Sequence, residues 1–193
     1  MNVICFGDSI TEAGGSPEGD RWPTILQLKL DAWRPGAYAV YNRGVGGHTS
    51  AQGFDRWDDD VRPLLPGLVL AEFGFNDSHV RDWTVLPRVS VSELKRNLAE
   101  MYRLAAAGGG TCVFIVNHPA GFDWQWPASG ASPYQEAIRE AADEVGAATI
   151  DLPALLRERG QGPQGFLNAD GVHLTGPGNH VYADLVFGRL QAI

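Results

Sequence analysis

A chain of 193 residues, 44% apolar and 20% charged, has the length and composition of one globular domain with a sizeable core, and neither feature fits a disordered protein. A net charge of −8 makes nucleic acid an unexpected partner and disfavours anionic membrane surfaces. No apolar stretch approaches the roughly 18–20 residues of a membrane span, and the first apolar run is too short and lacks the basic start of a secretory leader, so a cytoplasmic protein is expected, with its oligomeric state open.

The chain then alternates short apolar runs with helical patterns. The first run, residues 2–6, reads as a buried strand and ends on Gly7-Asp8-Ser9-Ile10-Thr11. A helix is expected over 21–33, with Trp22, Ile25, Leu26, Leu30 and Trp33 on one face. A second strand over 37–42 leads into Asn42-Arg43-Gly44-Val45-Gly46-Gly47-His48. A helix over 51–65 follows, on Phe54, Trp57, Val61 and Leu64. The acidic run Asp58-Asp59-Asp60 lies inside it and reads as a solvated face, because consecutive helical residues point different ways.

The third strand, 68–73, ends on Gly74-Phe75-Asn76-Asp77. Ser90 caps the next helix with Glu93 reaching back, and Gly108 ends it. A fourth strand over 111–117 runs into Asn117-His118-Pro119, and Ser132-Pro133-Tyr134-Gln135 opens another helix as a capping box. A fifth strand over 147–150, a short helix from Pro153 to near Gly160 and a last helix over 176–191 complete the order. Cys5 and Cys112 sit within apolar runs and read as buried free thiols, suited to a reducing compartment.

Strict β/α alternation predicts a flavodoxin-like three-layer αβα sandwich on a five-stranded parallel sheet, in a single domain over 1–193. In such folds ligands gather at the C-terminal strand ends. Three of the polar segments above fall there, and a fourth, Asp170-Gly171-Val172-His173, precedes the last helix. Together they hold what ester cleavage needs. Ser9 is a hydroxyl nucleophile, His173 a base and Asp170 a group to orient it. A glycine N–H at Gly46 or Gly47, the Asn76 amide and the Ser9 N–H can meet an oxyanion. Each has a plainer explanation taken alone: Ser9 and Asn76 as turn or cap residues, His173 as a surface histidine. Asp8 is not a phosphoryl acceptor, since no second aspartate follows two residues on, and it reads as the organiser of the turn under Ser9. His180, inside the last helix, reads as structural or solvated.

The four segments resemble the four blocks of the SGNH hydrolases, the GDSL esterase/lipase family, in the family's order and across nearly the whole chain. The resemblance implies the same three-layer fold and a triad of Ser9, Asp170 and His173. It also implies an oxyanion hole of Ser9, Gly47 and Asn76, with Gly47 chosen over Gly46 by register. Phe75, His48 and Asn117-His118-Pro119 depart from the commoner residues at their places. Two long loops, 78–89 and 118–131, leave C-terminal strand ends. Phe122, Trp124 and Trp126 on the second either pack the loop onto the body or form an aromatic wall for substrate. Asp8, His48, Phe75, Arg81, His118, Trp124 and Trp126 are the residues expected about the substrate. No cofactor or metal is expected; the partner is a small-molecule ester. The activity expected is hydrolysis through an acyl-enzyme of short, acetyl-like esters, including those of carbohydrates. A lysophospholipase or thioesterase with longer acyl chains, an acyltransferase and a non-catalytic carbohydrate-binding module are the alternatives.

Overall fold

The computed structural model describes residues 1–81, 84–121 and 132–192. The elements run β1 (Asn2–Gly7), α1 (Ser9–Glu12), α2 (Trp22–Trp33), β2 (Ala39–Gly44), α3 (Ser50–Asp55), α4 (Trp57–Asp60), β3 (Gly67–Glu72) and α5 (Phe75–Ser78). They continue α6 (Val91–Ala107), β4 (Thr111–Val116), α7 (Ser132–Val145), β5 (Thr149–Asp151), α8 (Leu152–Glu158) and α9 (Gly176–Leu190). All four pairings are parallel, in the order β2-β1-β3-β4-β5, so the expected sheet and α/β class are found.

Side-chain alternation divides the core. Val3, Cys5, Leu68, Leu70, Val113, Ile115 and Ile150 face one side, under Trp22, Leu26 and Leu30 of α2, Leu156 of α8 and Tyr182 and Val186 of α9. Ile4, Phe6, Val69, Ala71, Cys112, Phe114 and Val116 face the other, under Trp57, Leu94, Leu98, Met101 and Ile138. Burial on both faces is why these strands read as continuous apolar runs. Both cysteines are free and buried, as expected. Among the described residues no helix is long and apolar enough to cross a membrane.

The helix expected over 51–65 is instead broken into α3, α4 and a 3-10 turn at Arg62–Leu64. The break falls at Arg56, whose guanidinium turns inward and donates to the carbonyls of Gly7 (2.8 Å) and Arg43 (2.9 Å). Asp58 and Asp59 are exposed, as a solvated face would be, with Asp58 paired to Arg62, while Asp60 pairs with the half-buried Arg56. Ser90 Oγ accepts the Glu93 N–H at 3.3 Å, as an N-cap should. A capping box also forms where none was expected, with Thr49 and Gln52 closing the start of α3.

Candidate active site

β1 delivers the chain to the C-terminal sheet edge, and Asp8 turns it. Asp8 Oδ1 accepts the Ile10 N–H at 2.9 Å, capping α1 so that Ser9 is its first residue. The turn is pinned from outside by Trp22 Nε1, which donates to the Ile10 carbonyl at 2.8 Å. It also lies so close on Gly44 that any side chain there would strike the α1 backbone. Arg56, holding Gly7 and Arg43, ties together the two strand ends that carry Ser9 and the glycine turn.

The segment before α9 is a tight loop closed by the Leu167–Leu174 bridge and by Asn168, whose N–H reaches the His173 carbonyl at 2.7 Å. Asp170 Oδ1 accepts the N–H groups of Val172 and His173, both at 2.9 Å, and Oδ2 faces His173 Nδ1 at 2.8 Å. His173 Nε2 lies 2.9 Å from Ser9 Oγ, across 164 positions of sequence. A carboxylate against Nδ1 selects the tautomer protonated there and leaves the Nε2 lone pair toward the serine. Partial burial pushes the Asp170 carboxyl up, but the bonds from Val172 and His173 outweigh it and hold it below the ordinary carboxylate value, in the ionised state this role needs.

Amide donors come from three segments, the Ser9 turn, the glycine turn and Asn76. The N–H groups of Ser9, Gly46 and Gly47 have no protein partner among the described residues. Gly46 borders Ser9 and Glu12 directly, while Gly47 holds a positive φ of 78° that a side chain would strain. Asn76 Nδ2 donates to Asp8 Oδ2 at 3.0 Å, which leaves its second hydrogen unpaired. Gly74, at φ 141°, sends the chain into α5 with no room for a Cβ beside Asn117 Oδ1.

Beneath the turn lies a polar core that the sequence reading missed. Glu72, the last residue of β3, is fully buried and accepts from Thr11 Oγ1 (2.9 Å) and from Asn117 Nδ2. Burial, with the Asp8 charge beside it, pushes the Glu72 carboxyl well above the ordinary range. Burial raises Asp8 as well, against bonds from Ile10, Glu72 and Asn76. Two carboxyls this close in a dry site share one proton, and Glu72 keeps it. The signal was present: Glu72 continues the Leu68, Leu70 face of β3, which is buried.

Two expectations about the mouth are corrected. Asp8 is fully buried and spends both oxygens on the turn and on Asn76, so it does not face substrate. His118 is also fully buried: its ring packs on Phe75 (4.9 Å between centroids) and Phe166 (5.3 Å). Its Nε2 meets the Val172 carbonyl at 2.8 Å, and its Nδ1 has no partner, so Nε2 carries the proton. Burial lowers its pKa to about 4. His118 thus anchors the His173 loop to β4, helped by the Gly121 N–H, which donates to the Gly171 carbonyl at 2.6 Å.

His48 and Phe75 are half-buried, with Phe75 against His118, and Arg81 is exposed on the loop after α5. His180 is exposed on α9. Phe122, Trp124 and Trp126 lie outside the described residues. Arg88, unforeseen, donates through Nη1 to the Gly47 carbonyl at 2.8 Å. Among the described residues no group of three His, Cys, Asp or Glu side chains gathers as a metal site.

A serine at the edge of a parallel sheet thus stands in line with a histidine and an aspartate. The family model described as the GDSL-like Lipase/Acylhydrolase family matches residues 5–181, and the chain belongs to that family. It is 31% identical to Esterase TesA of Pseudomonas aeruginosa over 175 residues, covering 90% of this chain and 79% of that one. It is 28% identical to the isoamyl acetate-hydrolyzing esterase 1 homolog of Bos taurus, covering 97% and 79%. Among solved structures, an acetyl xylan esterase superposes with a TM-score of 0.83 at 23% identity, covering 98% and 100%, which is a likeness of fold.

Proposed function

We propose that the protein hydrolyses carboxylic esters through an acyl-enzyme on Ser9. The observation that carries this is the continuous line from Asp170 Oδ2 to His173 to Ser9 Oγ, with both gaps under 3 Å. Ser9 Oγ attacks the ester carbonyl carbon while His173 Nε2 takes its proton. The carbonyl oxygen becomes an oxyanion that the Ser9 and Gly47 N–H groups and Asn76 Nδ2 stabilise. As the tetrahedral adduct collapses, the bond to the leaving alcohol breaks and His173 returns the proton to it. Water then attacks the acyl-serine by the same route, releasing the acid and restoring Ser9. Asp170 keeps the imidazole aimed and stabilises its cation. No step requires a cofactor.

The acyl group we assign is short, acetyl-like, carried by a carbohydrate or other small alcohol. An acetate ester in the name of one relative supports this reading. One observation favours longer chains: Val85 and Leu86 are 93% and 70% exposed beside a groove of about 670 Å³ lined also by Arg88 and Val89. Rates on p-nitrophenyl esters of rising chain length separate the two. A maximum at acetate or propionate supports the short-acyl reading, and a maximum at eight carbons or more replaces it. Ser9→Ala should abolish turnover in either case while the folded structure persists.

A further inference from the structure

We propose that Arg88 is a positioning residue of the oxyanion hole: its guanidinium clamps the Gly47 carbonyl and Asn76 Oδ1 together and so fixes where both donors point. This rests on the reading of Ser9 as nucleophile. Nη1 donates to the Gly47 carbonyl at 2.8 Å and lies 3.4 Å from Asn76 Oδ1, and Nη2 donates to Gln52 Oε1 at 3.0 Å. Gln52 is itself fixed, since its Oε1 also accepts the Thr49 N–H at 3.1 Å in the capping box of α3. The backbone carrying Arg88 is held to α5 on both sides: its N–H reaches the His79 carbonyl at 3.1 Å, and the Val89 N–H reaches that of Asp77 at 3.2 Å. The cation therefore joins the first turn of α3, the glycine turn and α5.

The amide of Asn76 shows what the clamp does. An asparagine side chain can sit in two orientations related by a flip. Here Nδ2 faces the Asp8 carboxyl and Oδ1 faces the Arg88 guanidinium. The flipped form would set oxygen against carboxyl and NH₂ against guanidinium, and both contacts would be repulsive. Asp8 and Arg88 together therefore permit one orientation, in which the second Nδ2 hydrogen is left for the substrate oxyanion. The positive charge at Oδ1 also draws density from the amide and makes that hydrogen a better donor. A lysine cannot do the same, because a point charge lacks the planar fork that meets three acceptors at once.

The test is a double-mutant cycle of Arg88→Ala and Asn76→Ala on p-nitrophenyl acetate, with kcat and KM measured separately. Arg88→Ala should lower kcat by about tenfold or more and change KM by less than about threefold, as expected when donors are misaimed rather than binding lost. With Asn76 already removed, the same change should cost clearly less than it does in wild type, the remainder reporting its hold on the Gly47 carbonyl. Arg88→Lys should stay closer to the alanine variant than to wild type, and methylguanidinium should restore part of the rate to Arg88→Ala. An unchanged kcat in Arg88→Ala, or two losses that simply multiply, would overturn the proposal. If Asn76→Ala alone has no effect on kcat, it is the oxyanion reading that fails. Should Arg88→Ala not fold, Arg88→Gln and Arg88→Lys carry the same cycle.

Discussion

His118 makes the stability of this protein sensitive to acid. Its ring is fully buried, its Nδ1 has no partner, and burial lowers its pKa to about 4 from the ordinary 6.5. The unfolded chain therefore takes up a proton before the folded one does. This contribution is complete above pH 6.5 and is lost as the pH falls toward 4. At 1.36 kcal/mol per unit, the loss is about 2 kcal/mol at pH 5 and about 3 kcal/mol once the native ring is protonated. Urea denaturation from pH 7 to pH 5 measures it, with His118→Gln as comparator. The variant loses the ring's packing on Phe75 and Phe166, so it is less stable at every pH, but it has no group to titrate there. The wild-type-minus-variant difference should shrink by about 2 kcal/mol between pH 7 and pH 5. A difference that stays constant would show that His118 accepts a proton as readily folded as unfolded, and the burial argument would be wrong.

Glu72 acts with the opposite sign. Its native pKa lies above the unfolded value, so the folded state holds a proton that the unfolded chain releases, and stability falls as pH rises from the ordinary carboxylate range toward the native pKa. Glu72→Gln mimics the protonated acid. It should fold, keep activity within about threefold, and show a smaller drop in Tm between pH 5 and pH 8 than wild type; an activity loss of two orders would mean that Glu72 works ionised. Asn76→Ala should reduce kcat by about 10²–10³, and a loss under tenfold removes it from the oxyanion hole. Asp170→Asn should cost about 10³–10⁴ in kcat, because an amide can hold the imidazole in the wrong tautomer.

The sheet was legible because its inner strands are buried on both faces and so appear as apolar runs such as Val3–Phe6 and Cys112–Val116. The four-residue helices α1 and α5 were not, since one turn shows no periodicity; only their entries, Asp8 and Gly74, mark them. The break at Arg56 has a tertiary cause, the carbonyls of Gly7 and Arg43 on two separate strands, which no local pattern displays. In the candidate site, Ser9, Asp170, His173 and Asn76 could be singled out because each sits in a short segment with a distinctive residue pattern. His118 was misplaced because a histidine just past a strand end has the address of a mouth residue, whereas its burial depends on Phe75 and Phe166, which are distant in sequence. Nothing local singles out Arg88, because its three acceptors lie on Gly47, Gln52 and Asn76.

Every step proposed for the reaction turns on Ser9 as the nucleophile. A fluorophosphonate added to the folded protein, followed by digestion and peptide mass mapping, tests it most directly. One adduct is expected, on the peptide bearing Ser9, formed at a rate that His173→Ala greatly reduces and absent from Ser9→Ala. Folded protein that carries no adduct, or an adduct on another residue, would contradict it.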